Sequence, residues 1–193
     1  MAWLGFTCRP LPPTTLPIAH WHPQGRLSLG LTLDAGLLLP LDTSRGSNIC
    51  DRFYLGGPGS FWGFRTRGLG PSEERSAPLS SAHIPSPPPR DALGGDVLGV
   101  ATLSLTSALP GSLGVAGVHA HAFASAGGLH SLKGIQADGG FAASLRACTG
   151  IGVAVPFSGL GRIELNLMHV LRRRRGDADV RNGIQLGVST GHM

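Results

Sequence analysis

Hydrophobic and polar residues alternate in six separate segments of this chain, each roughly ten residues long. Because successive side chains of a β-strand point to opposite faces, this period of two predicts strands with one apolar face. In the first segment, leucine occupies almost every odd position from 27 to 39, and Pro40 ends the run. The predicted strands cover residues 27–39, 96–109, 114–126, 143–155, 162–169 and 183–190.

Proline and glycine divide the rest of the chain into connecting segments. Residues 1–26 contain five prolines, and we expect an irregular N-terminal segment there. A long loop is predicted over 41–94, and its second half, 72–90, has the Pro- and Ser-rich composition of a solvated insertion. Gly127 and Gly128 predict the start of another loop.

Two classes of all-β protein share this alternation. A transmembrane barrel turns its apolar face to lipid, whereas a soluble sandwich or small barrel buries that face. Periodicity alone does not separate the two classes. No run of eighteen apolar residues occurs, so the sequence predicts no membrane-spanning helix, and residues 1–10 lack the pattern of a secretory signal.

Composition and charge narrow the possible functions. The length of 193 residues fits one domain or part of one, and the net charge is +5. Four arginines form one block at 172–175 without interleaved aromatic residues, so nucleic-acid binding is not favoured. The block is instead typical of a solvated loop or of a contact with anionic lipid. Three cysteines without metal spacing give no support for a disulfide scaffold.

No group of residues predicts a reaction centre. His119 and His121 share a strand face but lack a third ligand nearby, so we predict no metal site. Glu164, with Arg162 and Asn166 at alternate positions, is typical of a polar stripe inside a barrel. We therefore expect no catalytic residue, no metal and no cofactor, and a protein that is not an enzyme.

The most specific stretch joins the first two predicted strands. It reads Asp-Arg-Phe-Tyr-Leu-Gly-Gly-Pro over 51–58 and Phe-Trp-Gly-Phe over 61–64. Glycine tolerates positive φ, so the stretch is suited to a loop that folds back on itself while its aromatic residues anchor it to a wall. It resembles the inward-folding loop of the BamA-like outer-membrane assembly barrels, and most of all that of the barrel subunit of the mitochondrial sorting and assembly machinery. Later pieces follow in the family order: Gly-Gly-Asp at 94–96, Arg-Ile-Glu-Leu-Asn at 162–166 and the last strand at 182–188.

The resemblance implies an antiparallel transmembrane β-barrel, of which this chain supplies about six of sixteen strands. Residues 27–193 would be a partial C-terminal barrel domain carrying the long loop. The family inserts other β-barrels into the mitochondrial outer membrane, so the resemblance implies a multi-pass location there. Its implied partners are membrane lipid, precursor β-barrel proteins, other subunits of the machinery and cristae-organising proteins. The implied site residues are those of the inward loop, Arg52, Phe53, Tyr54, Gly56, Gly57, Trp62, Gly63 and Phe64, and those of the terminal gate strand, Ile184, Gln185, Leu186, Gly187 and Val188.

The chain departs from the family pattern at the loop and at its end. Trp62 stands where the family loop has an arginine before Gly-Phe, and tryptophan has one donor and no charge. The final Gly-His-Met lacks the usual terminal aromatic or bulky apolar residues. Six strands would leave two unpaired edges, which are costly in lipid, so we expect this sheet to pair with other strands rather than insert alone. Two alternatives remain: a truncated barrel with a structural or interaction role, and a soluble all-β binding module.

Overall fold

Seven antiparallel strands form one sheet in the computed structural model of this chain, which describes residues 14–21, 27–40, 46–74, 90–137, 140–157, 161–174 and 180–189. Two short strands within the long loop form a separate ribbon. The sheet strands are β1 (Thr14–Trp21), β2 (Leu27–Leu37), β5 (Val97–Ala108), β6 (His119–His130), β7 (Arg146–Phe157), β8 (Gly161–Arg172) and β9 (Gly183–Ser189), and the ribbon strands are β3 (Ser72–Glu74) and β4 (Arg90–Ala92).

The strands follow one another across the sheet in chain order, from β1 at one edge to β9 at the other. This order is that of a meander in which each strand pairs with its neighbours in sequence, apart from the ribbon. The sheet does not close on itself. No helix of the described residues is long and apolar enough to cross a membrane.

Each of the six predicted strands is present in the sheet of seven, but the expectation of an irregular N-terminal segment is wrong for residues 14–21. Residues 14–21 form β1, which pairs with β2. Prolines misled the prediction because a proline removes a ladder donor from a central strand, whereas an edge strand tolerates one. β1 is an edge strand, and its register shifts between Pro17 and Ala19.

Both boundaries of β6 also differ from the prediction. The predicted strand 114–126 is β6, which starts later because a single helical turn, α1 (Ser112–Val115), completes the preceding connection. β6 also continues through the glycines that were expected to begin a loop. A Cβ at Gly127 would lie 2.6 Å from the carbonyl oxygen of Gly99 on β5, so glycine permits a close approach of backbones there.

The connection after β6 contains short helical elements instead of plain loop. α2 (Leu132–Ala137) follows the strand, and a 3₁₀ turn (Phe141–Ser144) leads into β7. β7 therefore begins three residues later than the predicted 143. These turns lie at the end of the sheet where the long loop also begins.

Several expectations concern residues that lie outside the described ranges. Most of the Pro- and Ser-rich insertion, residues 75–89, lies outside the described residues, and only its two ends form the ribbon. The last arginine of the 172–175 block and the final Gly-His-Met also lie outside them.

Apolar side chains form a continuous band on the outer face of the sheet. The strand registers place one apolar residue from each of six strands side by side in a row, and the residue from β6 is the small one. The large side chains of this band are exposed to between 37% and 74% on β7, β8 and β9. A soluble sandwich would bury such a face, so the exposed band favours the membrane class. The row consists of Leu29, Leu105, Ala122, Ile151, Leu167 and Ile184.

The buried core lies on the opposite, inner face, between the sheet and the long loop. Aromatic and aliphatic side chains of the loop pack there against residues of β5, β6, β7 and β8. The inner face of the sheet is otherwise small or polar, as the alternation predicts. The fully buried hydrophobic members of this core include Phe61, Phe64, Leu69, Leu129 and Cys148.

Candidate functional site

Arg52 fastens the base of the inner loop. Its Nε donates to the hydroxyl of Ser47 at 2.9 Å, Nη2 donates to the Ser47 carbonyl at 3.0 Å, and Nη1 donates to the Leu93 carbonyl at 3.2 Å. The planar guanidinium can serve three acceptors at once because its donors have a fixed fork geometry. The two ends of the long loop are thereby joined.

Asp96 extends this attachment to the sheet. Its buried carboxylate accepts hydrogen bonds from the Ser47 hydroxyl at 2.5 Å and from the Leu132 backbone N–H at 3.0 Å, and it lies 3.9 Å from Arg52 Nε. Next to it, the N–H and carbonyl groups of Phe53 and Gly95 exchange two hydrogen bonds of 2.9 Å each. The carboxylate thus connects the start of β5, the loop and α2.

We expect Arg52→Ala to release the loop base at a cost of about 2 kcal/mol, because three hydrogen bonds from a charged group are lost. Arg52→Lys should behave almost the same, since a point charge cannot reach three separate acceptors. Trypsin cleavage at the exposed Arg65 and Arg67 measures the release. Glu73→Ala, in the exposed ribbon, is the matched control. Unchanged cleavage of Arg52→Ala would show that Asp96 and the Phe53–Gly95 hydrogen bonds hold the base without Arg52.

The glycines of the motif allow the loop to fold back on itself. Gly56 and Gly57 have φ of 114° and 97°, which residues with a side chain rarely adopt. A Cβ at Gly56 would also lie 2.5 Å from the Arg65 carbonyl oxygen. The returning segment pairs across this turn, where Leu69 N–H donates to the Leu55 carbonyl at 3.1 Å.

Tyr54 lies on the open side of the loop. Its hydroxyl donates to the Ile49 carbonyl at 3.1 Å, and the guanidinium of Arg67 lies 4.8 Å from its ring centroid. A cation over an aromatic face contributes modestly at such an exposed place. Both contacts are with residues of the same loop, so Tyr54 supports the loop from within.

Aromatic residues hold the tip of the loop against the inner wall. Phe61 and Phe64 are both buried, and their ring centroids are 5.6 Å apart. Trp62 directs its ring towards Phe123 of β6, with centroids 6.4 Å apart. The ring also lies over Gly187 of β9, where a Cβ would come within 3.1 Å of Trp62 Cζ2. Trp62, which stands where the family pattern has an arginine, is therefore held by packing contacts.

The terminal strand meets the loop tip directly. The N–H of Gly63 donates to Gln185 Oε1 at 3.0 Å, and the N–H of Arg181 donates to the Gly63 carbonyl at 2.8 Å. Phe64 forms a backbone bridge with Val180. The structure therefore brings together two sets of residues whose contact no sequence pattern indicated.

The two faces of β9 differ sharply. Gln185 and Gly187 face the loop, whereas the three apolar side chains of the strand point outward. These outward residues are Ile184, Leu186 and Val188, at 74%, 62% and 69% exposure. β9 pairs with β8 along one edge, and its other edge is the border of the sheet.

A polar stripe lies beside the loop tip, as predicted for Arg162, Glu164 and Asn166. Arg162 Nε donates to Glu164 Oε1 at 2.5 Å, and the Asn166 amide donates to Glu164 Oε2 at 3.4 Å. The stripe borders a cavity of about 600 Å³ whose wall also includes His119 and His121. Within the described ranges, no three His, Cys, Asp or Glu side chains are grouped to hold a metal ion.

Sequence reasoning named Gln185 as part of the gate strand but did not identify it, Ser47 or Asp96 as partners of the loop. Asp96 and Ser47 serve Arg52, and Gln185 serves Gly63, but no spacing along the chain connects these partners. Only the Gly-Gly-Asp piece at 94–96 carried a signal, because it resembles a strand start of the family.

Comparison with known proteins agrees with the fold. Residues 18–191 match the Omp85 superfamily domain. The sorting and assembly machinery component 50 homolog of Homo sapiens is 30% identical over 160 residues, covering 79% of this chain and 30% of that protein. Homolog A of Xenopus laevis is 30% identical over 167 residues, covering 82% of this chain and 32% of that protein.

A solved barrel shows the same architecture. The crystal structure of BamA from Haemophilus ducreyi lacking POTRA domains 1-3 superimposes with a TM-score of 0.65 at 16% identity, and the match covers 92% of this chain and 33% of that chain. The chain thus spans about a third of the length of the relatives it matches. Its described sheet has the fold of part of the BamA barrel and does not close into a barrel.

Proposed function

The chain belongs to the Omp85 superfamily, and from that premise we propose that it forms a loop-bearing barrel segment that assembles other β-barrel proteins in the mitochondrial outer membrane. The inner loop, seated on the terminal strand, is the observation that carries this proposal. The similarity to sorting and assembly machinery component 50 homologs supports the choice of membrane.

The proposed mode of action is strand addition at the free edge of β9. An exposed strand edge offers a row of backbone donors and acceptors, and an extended segment of another chain can pair with it. In lipid, unpaired backbone groups cost several kcal/mol each, so the edge favours a partner strongly. The step involves hydrogen-bond exchange and no covalent chemistry.

The proposed partners follow from the two surfaces of the sheet. Membrane lipid would cover the apolar band on the outer face, and a precursor β-barrel protein would pair with the β9 edge. Other subunits of the sorting and assembly machinery and cristae-organising proteins complete the set that the family membership suggests. The chain would then cross the outer membrane several times through its strands.

A photo-crosslinking amino acid at Val188 tests the proposed function. In mitochondria importing a precursor β-barrel, we expect a crosslink from Val188, which lies on the edge strand and is exposed. The same amino acid at Leu165 is the matched control, because Leu165 shares the outer face but lies on β8, which is paired on both sides. Crosslinking to the precursor should be at least about tenfold weaker there.

The experiment has two informative negative outcomes. If the chain is integrated in the membrane but Val188 gives no crosslink to the precursor, the assembly function is wrong. A structural or interaction role would then take its place. Equal crosslinks from Val188 and Leu165 would mean that precursors touch the outer face without pairing at the edge, and the proposal would be wrong.

A further inference from the structure

Three different contacts join the loop tip to β9 and to the residues that lead into it. One is between backbones, at Gly63 and Arg181, and one is between a side chain and the backbone, at Gln185 and Gly63. The third is steric, because the Trp62 ring fills the space left by the missing side chain of Gly187. Pro58 closes the same notch, at 3.1 Å from where a Cβ would stand.

β9 has little other support. It is seven residues long, pairs only with β8 among the described strands, and turns its large side chains outward. A short strand held along one edge loses order easily, because few contacts oppose its conformational entropy. The loop tip is therefore a substantial part of what fixes its position.

We propose that Trp62 and Gln185 are positioning residues, through which docking of the loop tip holds β9 in the conformation that presents its free edge. An edge that is already ordered binds a pairing strand more tightly, since the ordering cost is met before binding. Coupling of this kind is reciprocal: loosening the loop loosens the strand, and loosening the strand loosens the loop. The use of the edge for assembly rests on the proposed function, whereas the coupling itself does not.

Hydrogen–deuterium exchange of residues 183–189 measures the first direction of coupling. In isolated mitochondrial outer membranes that contain the 193-residue chain, where its sheet edges can pair with other strands, we expect Trp62→Ala and Gln185→Ala each to speed exchange there about fivefold, as for the loss of one net hydrogen bond or a similar contact. Gln185→Ala removes only an amide and leaves the outward face of β9 unchanged, so it remains informative if Trp62→Ala fails to fold.

Phe53→Ala is the matched control. It removes another aromatic side chain of the same loop, but Phe53 packs against Gly36 of β2, at the far side of the sheet. We expect less than about a twofold change in β9 exchange for it. Equal acceleration by Phe53→Ala would indicate general loosening and overturn the proposal, as would unchanged exchange in both Trp62→Ala and Gln185→Ala.

Because the coupling is reciprocal, weakening β9 should loosen the loop, and a merely local role of Trp62 and Gln185 would not produce this result. Replacing the outward-facing Ile184 and Leu186 together by glycine weakens β9 without touching the loop. We expect trypsin to cut at Arg65 and Arg67 about fivefold faster in this variant. Unchanged cleavage would refute the coupling. No precursor protein is added in these experiments, so the coupling can fail while the Val188 crosslink succeeds, and the reverse.

Discussion

Leu167→Arg should prevent stable integration of the chain into a bilayer. Leu167 lies near the middle of β8, is 53% exposed, and belongs to the apolar row that crosses the sheet. An arginine facing lipid at the midplane of a barrel costs about 2–4 kcal/mol. We expect the variant in the soluble fraction after carbonate extraction of mitochondria, whereas the unaltered chain stays in the membrane pellet.

Ser104→Arg is the control that distinguishes a charge facing lipid from the same charge added elsewhere on the sheet. Ser104 lies on the inner face of β5 and borders the cavity, so an arginine there meets a polar wall rather than lipid. We expect this control to remain in the pellet. If Leu167→Arg also remained there, the outer band would not face hydrocarbon, and the soluble alternative would have to be reconsidered.

Gly152→Val should destabilise the sheet by about 3 kcal/mol. Gly152 of β7 pairs with Asn166 of β8, and a Cβ would overlap the side-chain oxygen of Asn166. It would also lie 2.5 Å from the Leu165 carbonyl oxygen, so relief requires moving backbone as well as a side chain. The two strands would have to separate, and urea unfolding in detergent micelles should show a lowered midpoint.

Two comparisons make this result specific. Ala124→Val adds bulk on the exposed outer face of β6, and we expect it to leave the midpoint unchanged. Combining Gly152→Ala with Asn166→Ala should recover part of the stability lost in Gly152→Ala, because the overlapping amide is gone. A midpoint for Gly152→Val equal to that of the unaltered chain would mean that β7 and β8 do not approach as closely as described.

The strands were predictable because outward-facing and inward-facing residues alternate along them. In β8, for example, the odd positions from 163 to 167 are apolar and the even positions from 162 to 166 are polar. β1 escaped prediction because its prolines break the usual sequence signal, although an edge can accommodate them. The later start of β6 escaped because α1 occupies residues that also alternate.

The site was predictable only in part. Glycines and aromatics at 51–64 indicated a folded-back, wall-packed loop, and the loop has positive φ values and buried rings there. The wall itself was not predictable, because Gly63 meets Gln185 across 122 residues and such a contact depends on how the whole sheet curves. Trp62 shows the same limit: the sequence indicated only that a charged residue is missing from the loop, and the notch at Gly187 is visible only in three dimensions.

The number of strands in the sheet has a consequence for how it can be closed. Neighbouring strands alternate in direction, so β1 and β9, at opposite ends of a row of seven, run the same way. Joining these two edges directly, or joining two copies that share one membrane orientation, would create a parallel seam. A barrel that is antiparallel throughout must therefore add an odd number of strands to the seven described, and both outer strands of the added piece must run opposite to β1 and β9. Parity thus sets a condition on any partner that closes this wall, before a single side chain is considered.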